Sequence, residues 1–305
     1  MSAVSEAPLT RKVVERASSG ERTRELLFRL GLLSCLLAAL VFLVVLVVDV
    51  LQDGAGRLSW DFLTSFPSRV SPETGGVQTA LIGTLYLMAL CALFIVPVGI
   101  ATAVYLEEYA DRERWWNRMI EVNIQNLAAV PSVVYGILGL AFIVRGPIDI
   151  FGMGVGQPTL LAGALTLGLL VLPVVIIVAR EAIRAVPPSI REGSLALGAT
   201  QWQTIVKQVL PGALPGIATG VILALSRAIG ETAPLILVGA VAFYRANPEL
   251  DGPFSALPIQ ILEGVVEFNP EFQKLAAGAI LVLLAILLLM NSVAIYLRNR
   301  YETKW

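Results

Sequence analysis

Six apolar runs, each broken from the next by a polar connection, set the pattern of this chain: residues 26–50, 77–105, 119–144, 158–179, 213–243 and 275–297. Each reaches or exceeds the ~20 apolar residues that cross a hydrocarbon core. Within them apolar side chains fill almost every position instead of forming one stripe, which predicts helices with no solvated face. A spanning segment in lipid must satisfy its backbone internally, so helices are the economical reading of such runs. The pattern therefore predicts an all-α integral membrane protein with about six transmembrane helices. The first run is expected to be an uncleaved anchor, because the polar stretch before it is long and no small-residue cleavage site follows residue 50.

Composition agrees. Of 305 residues, 56% are hydrophobic and 15% charged, against roughly 25% charged in soluble domains. The net charge is −1, and its distribution says more than its sum. Arg11, Lys12, Arg16, Arg22, Arg24 and Arg29 precede or open the first run; Arg112, Arg114 and Arg118 fall in the second connection. Arg180, Arg184, Arg191 and Lys207 fall in the fourth, and Arg298, Arg300 and Lys304 close the chain. The alternate side holds only Arg57, Arg69, Arg145, Arg245 and Lys274. The excess of basic residues marks the cytoplasmic side, so both termini are expected there. Residues 1–25 read as a disordered basic tail, 26–299 as the membrane domain and 300–305 as a short cytoplasmic tail.

Several chemistries drop out. The chain has no histidine, which removes His-based acid–base catalysis, Ser–His–Asp triads and His-ligated metals. Cys35 and Cys91 both lie inside apolar runs and read as packing residues. No Gly-x-x-x-x-Gly-Lys-[Ser/Thr] phosphate loop is present, so the chain is not expected to bind or hydrolyse ATP itself.

The fourth connection is the most organised polar segment. Ser189-Ile-Arg-Glu192 and Thr200-Gln-Trp-Gln203 both fit the capping-box pattern of a helix start. Gly198 lies between them, where a left-handed residue would end the first helix. Trp202, Ile205, Val206 and Val209 then recur at helical spacing. The expectation is two short helices meeting at a Gly corner; the competing reading is an amphipathic element lying on the membrane.

The fifth run carries Arg227 and Glu231, one turn apart in "ALSRAIGETAPLI". Read as one helix over 213–243, it puts Arg227 near mid-membrane, where a charge costs roughly 2.5–3.5 kcal/mol on the lenient insertion scale. Such a residue faces a protein interior or a watered path, or serves in a neutralising pair. Arg before Glu at i, i+4 is the weaker order for a helical pair. Pro234 cannot donate to the carbonyl of Gly230, which predicts a kink. Gly212, Gly216 and Gly220 make a small-residue stripe suited to close packing. In the third run, Ser132 and Tyr135 either line a polar path or satisfy their hydroxyls locally, while Asn123, Gln125 and Asn126 sit toward its cytoplasmic end. The fifth connection is acidic (Glu249, Asp251, Glu263, Glu267, Glu271), with an amphipathic segment at Ile261, Leu262, Val265 and Val266.

Glu192-Gly-Ser-(x)3-Gly198 followed by Val209-Leu210-Pro211 resembles the "EAA" loop of ABC importer permeases. The departures are Gly193-Ser194 for Ala-Ala and Gln208 for Ile. "NLAAVPSVVYGILGL" (residues 126–140), "ALGATQWQTIVKQVLPGALPGI", "SRAIGETAPLI" and "FSALPIQILE" (residues 254–263) together resemble the phosphate-specific permeases of the Pst system, and Ala233-Pro234 after Glu231-Thr232 its A-type subunit. The resemblance implies the type I, MetI-like importer fold, with residues 187–211 as a coupling loop docked on a separate ATPase. It implies as partners a homologous C-type permease, two ATPase subunits, an extracytoplasmic phosphate-binding protein and the bilayer, with no nucleic acid and no cofactor beyond the ATP of the partner chains. It gives Arg227 a purpose, since a planar guanidinium matches phosphate oxygens, with Glu231 orienting that fork or taking a proton from the anion. The expected substrate path is Arg227, Glu231, Thr232, Ser132 and Tyr135. ATPase coupling is expected at Glu192, Gly198, Ala199, Thr200 and Trp202. The alternatives are a permease for sulfate, molybdate or phosphonate, and a self-contained ion-coupled carrier, which would need no coupling helices. A membrane enzyme fits least.

Overall fold

Helices form where the apolar runs predict them, and two of the six runs break. The structure, a computed structural model, describes residues 19–111, 113–146 and 157–301. The basic residues Arg11, Lys12, Arg16, Arg112 and Lys304 lie outside them. In order, the helices are α1 (Ser19–Gly54), α2 (Trp60–Thr64), α3 (Gln78–Val104), α4 (Trp115–Ala128), α5 (Ser132–Leu138) and α6 (Leu160–Arg184). They continue as α7 (Pro188–Ala196), α8 (Gln201–Thr204), α9 (Leu210–Ile229), α10 (Ala233–Val238), α11 (Leu257–Val266) and α12 (Pro270–Tyr301). Wider π turns extend α3 over Tyr105–Tyr109 and α5 over Gly139–Val144, and another, Ile205–Val209, joins α8 to α9. No strand occurs among the described residues.

Contacts divide the chain into Met1–Asp49 and Val50–Trp305. The described part of the first unit is one apolar helix; the second holds all the other elements. The expected tail ends earlier than residue 25, because α1 already begins at Ser19. Glu21, Arg22, Arg24 and Glu25 are good helix formers leading straight into the Leu-rich run. At the other end α12 continues through Tyr301, past the boundary expected at 299.

Among the described residues, five helices are long and apolar enough to cross a membrane: Thr23–Arg57, Gln78–Tyr109, Leu160–Arg184, Gln201–Ile229 and Pro270–Arg300. A sixth span exists only if Trp115–Ala128 and Ser132–Val144 count together, and they meet at 105°. The third run is thus a broken span, not one helix over 119–144. Pro131 explains the break: it disfavours helical backbone in Val130 and offers no amide to the preceding turn.

The fifth run departs further. Its helix starts at Gln201 and stops at Ile229, so residues 230–243 do not continue it. Pro234, expected to kink a helix, instead sits in the first turn of the separate α10. Gly239, at φ +99°, then ends α10 in a left-handed turn, a conformation open to Gly at little cost. The chain returns through Val241, whose amide donates to the Phe254 carbonyl at 2.9 Å.

Within Val50–Trp305, α6 is the central post, packed against α3 and α9. Small residues make the approach close. Gly216 and Gly220 on α9 face Ala182 and Val178 of α6, with no room for a side chain. Two of the three stripe glycines, Gly216 and Gly220, therefore form an intrachain seam. α12 covers α9 and α11, and α5 packs on α10, where Gly136 lies against Pro234 and Leu237. In α11 the buried side is Leu257, Gln260 and Gly264, while Leu262, Val265 and Val266 face outward. Both cysteines are free, Cys91 buried and Cys35 exposed.

Candidate functional site: a cavity at two helix breaks and a clamped coupling element

The two interrupted helices meet. A cavity of about 310 Å³ is lined by Ala128, Ala129, Val130, Pro131 and Ser132 at the α4–α5 break, and by Arg227 and Glu231 at the end of α9. Leu170, Val171 and Val174 of α6 and Ala224 of α9 complete it. Aliphatic side chains and the polar groups of the two breaks share its walls, and its charged side chains are one cation and one anion. Broken helices meeting at a polar spot are tolerated in a membrane protein where the exposed backbone lines a cavity.

Arg227 lies in the last turn of α9, about 39 Å of helix from Gln201 at 1.5 Å per residue. This corrects the expectation of a mid-helix charge: the helix ends three residues before Thr232. A cation suits a helix C-terminus, which supplies one structural reason for it. Its side chain is nonetheless 66% exposed, and its nearest approach to Glu231 is Nε to Oε1 at 3.9 Å. No hydrogen bond from its guanidinium occurs among the described residues. Glu231 is the more enclosed partner, 21% exposed. A pair built for structure would close to about 2.7–2.9 Å; this one leaves the guanidinium donors uncommitted.

The other expected path residues divide. Ser132 is half-buried and lines the cavity. Tyr135 does not: its hydroxyl donates to the Leu127 carbonyl at 2.9 Å, tying α5 back to the end of α4 across the bend. Thr232 stands outside the lining, its hydroxyl 3.4 Å from the Gly230 carbonyl. Asn123 donates to the Met119 carbonyl of its own helix at 2.8 Å. The sequence reading missed Asn291 of α12, which accepts from the Ser226 hydroxyl at 3.1 Å. Ser226 immediately precedes Arg227, so this contact fixes the roll of the last turn of α9. An amide inside a Leu-rich run was the available signal.

The coupling segment forms two helices and a corner. α7 begins with Pro188 and is capped by no side chain, its N-cap being Pro187. The first capping box is therefore absent: Ser189 already lies inside the helix, where the rigid Pro187-Pro188 pair has set the entry. The second box forms in full, with Thr200 and Gln203 exchanging side-chain-to-backbone hydrogen bonds. Gly198 has φ +84°, and an added Cβ there would meet nothing within 4 Å. Its constraint is conformational. Ser194 and Thr204 hydroxyls bond at 2.9 Å, bracing the two helices. Glu192, Gly198, Thr200, Leu195, Leu197 and Trp202 are exposed, Leu197 at 91% and Trp202 at 64%, and Ala199 is half-buried. Of the expected helical set, only Ile205 and Val209 are buried; Trp202 and Val206 face out. The result is a projecting knob with apolar side chains at its tip.

Comparison with known proteins gives the family and the fold. Residues 95–303 match the family model "Binding-protein-dependent transport system inner membrane component". The chain belongs to that family, and is by membership an inner-membrane transport component that works with a binding protein. It is 39% identical over 237 residues to the phosphate transport system permease protein PstA 1 of Mycobacterium tuberculosis, covering 75% of this chain and 73% of that one. It is 31% identical over 280 residues to the probable phosphate transport system permease protein PstA of Methanocaldococcus jannaschii, covering 91% and 92%. Among solved structures, a chain from a bacterial alginate ABC transporter in complex with alginate pentasaccharide-bound periplasmic protein superposes with a TM-score of 0.68 at 19% identity, over 92% of this chain and 97% of that one. The fold is that of ABC importer permeases, as the coupling-loop motif implied.

Proposed function

We propose that this chain is the A-type permease subunit of an ATP-driven phosphate importer, forming half of the pathway. The observation that carries the proposal is the cavity at the two helix breaks, where Arg227 presents an uncommitted guanidinium beside Glu231. The names of its relatives supply the substrate class. The forked donors of Arg227 would hold two anion oxygens, Ser132 would offer a hydroxyl, and Glu231 would orient the guanidinium or accept a proton from the anion. The exposed knob of α7 and α8 would dock on a separate ATPase. ATP would be bound and hydrolysed there and no cofactor held here. A C-type permease would supply the other half of the path, and a phosphate-binding protein would dock outside, opposite the cytoplasmic termini.

Alternating access would follow from the broken helices. Closure of the ATPases moves α7 and α8, and the spans re-pack around the cavity so that it opens to one side at a time. The test is reconstitution in proteoliposomes. With a C-type permease, ATPase subunits, ATP and phosphate-loaded binding protein, labelled phosphate should accumulate; the chain alone should give no flux and no ATP hydrolysis. Robust uptake by the chain alone would establish the carrier reading instead, and accumulation of labelled sulfate, but not of labelled phosphate, from binding protein loaded with each would reassign the anion.

A further inference from the structure

The knob is continuous with one span, because α8 runs through the π turn Ile205–Val209 into α9; one dipeptide ties it to α3 and α6 as well. Glu107 and Glu108 lie in the π turn Tyr105–Tyr109 that finishes α3, and their side chains are 5% and 9% exposed. Glu108 takes both halves of the coupling element. Its carboxylate accepts from Arg191 of α7, Nη2 at 2.7 Å and Nε at 3.0 Å. Its backbone carbonyl accepts from Gln201 Nε2 of α8 at 2.7 Å. The same Arg191 guanidinium donates to the carbonyls of Val186 at 2.6 Å and Ile183 at 2.9 Å, beyond and within the last turn of α6, where the Ile183 carbonyl also accepts from the Val186 amide at 3.3 Å. Glu107 grips α6 directly, with Arg184 Nε and Nη2 at 3.1 and 3.0 Å and Arg180 Nη2 at 3.5 Å. Arg180 also reaches Glu121 of α4 at 2.9 Å.

From this geometry we infer that Glu108, with Arg191, is the positioning joint through which movement of the coupling helices enters the spans, α3 and α6 moving with them as one body. The inference rests on the reading of α7 and α8 as an ATPase dock. Two observations separate it from a mere surface ion pair. The Glu108 carboxylate is enclosed, 9% exposed, so removing either charge leaves the other without its partner, and the Glu108–Arg191 pair together joins four elements, α3, α6, α7 and α8. The exposed tip of the knob makes none of these contacts, so breaking the joint leaves the docking surface in place. Binding would persist while force transmission fails.

The experiment uses the assembled transporter in proteoliposomes and reads three quantities: co-purified ATPase, ATP hydrolysed and phosphate taken up. Glu108→Gln should leave ATPase association and hydrolysis near wild type and lower phosphate moved per ATP by about tenfold, the equilibrium equivalent of one lost charge-assisted contact. Arg191→Lys keeps the attraction but loses the fork that spans carboxylate and carbonyls, and should fall between. A purely structural role would lower complex yield and leave phosphate per ATP unchanged in whatever assembles; that outcome overturns the inference. Should Glu108→Gln not assemble, Arg191→Lys and Gln201→Ala decide, and wild-type phosphate per ATP in both sinks it. A wild-type chain that captures no ATPase fails earlier and removes the docking reading itself.

Discussion

Arg191 and Arg227 are the same side chain in two opposite situations. Arg191 is 22% exposed, 2.7 Å from a 9%-exposed carboxylate, and spends its remaining reach on two backbone carbonyls. Arg227 is 66% exposed, 3.9 Å from its carboxylate, and has no hydrogen bond among the described residues. Carrying a charge in an apolar chain costs energy in both places. At the coupling end the protein repays that cost with its own acceptors, which makes Arg191 a strut. At the cavity it leaves the donors open, which is what a site needs if an anion is to complete them. On the proposed function, the tight geometry belongs to a mechanical part and the loose geometry to a place for a ligand.

Arg227→Leu presses hardest on that contrast. It should abolish labelled-phosphate uptake in the reconstituted transporter while the yield of assembled complex stays near wild type, because no protein acceptor is left unpaired except Glu231. If the pair were structural, the exchange of Arg227→Glu with Glu231→Arg would restore assembly and function together. For a ligand-facing Arg227 the exchange stays inactive, since the cation then projects from a different position of the cavity wall. Uptake in either variant would end the transport role.

Gly198→Val tests the mechanical end from its corner. A residue with a β-branched side chain resists φ near +84°, and the left-handed conformation costs about 1–2 kcal/mol for an ordinary residue. Since a Cβ there meets nothing, crowding plays no part. Membrane insertion should be normal and ATPase co-purification lost or much reduced, whereas Gly198→Asn, which tolerates left-handed backbone, should retain most of it. Equal capture by the Val and Asn variants would show that the corner does not shape the dock.

Most of this architecture was legible in the sequence because membrane helices advertise themselves by composition. The Gly198 corner and the Thr200 box were legible because caps and left-handed residues have local signatures. Ser189 was misread for a related reason: it fits the box spacing in sequence, but Pro187-Pro188 starts the helix two residues earlier and leaves Ser189 inside it. The broken spans were harder, since Pro131 and Pro234 announce a disturbance and say nothing of its size. Whether a proline kinks a helix or ends it depends on what waits to pack on the fragments, here Gly136 against Pro234 and Leu237. Glu107 and Glu108 were missed because their partners lie 77 and 83 residues away in the chain; only the fold brings acid and base together.

A smaller effect sharpens the cavity. Arg227→Lys keeps the charge and loses the planar fork. Uptake should fall by about tenfold, equivalent to one bidentate contact reduced to a single one, with complex yield unchanged. If Lys supports wild-type uptake, the cavity needs only a positive potential and the fork is irrelevant.

The smallest effect expected is at Tyr135, and it separates lining from bracing. Its hydroxyl holds the Leu127 carbonyl across the 105° bend and stands outside the cavity wall. Tyr135→Phe removes one neutral hydrogen bond, worth about 1 kcal/mol, from the α4–α5 corner. The corner keeps its packing, because Phe fills the same space and Gly136 still seats α5 on α10. The thermal midpoint of the purified complex should drop by about 2–4 °C, and phosphate uptake should stay within about twofold of wild type at the temperature of assay. Ser132→Ala, by contrast, removes the hydroxyl of a residue that lines the cavity, and should weaken uptake with no change in the midpoint. A reversal of these two outcomes would move Tyr135 into the path and Ser132 out of it, and the boundary drawn between ligand-facing and strut residues would have to be redrawn at this corner.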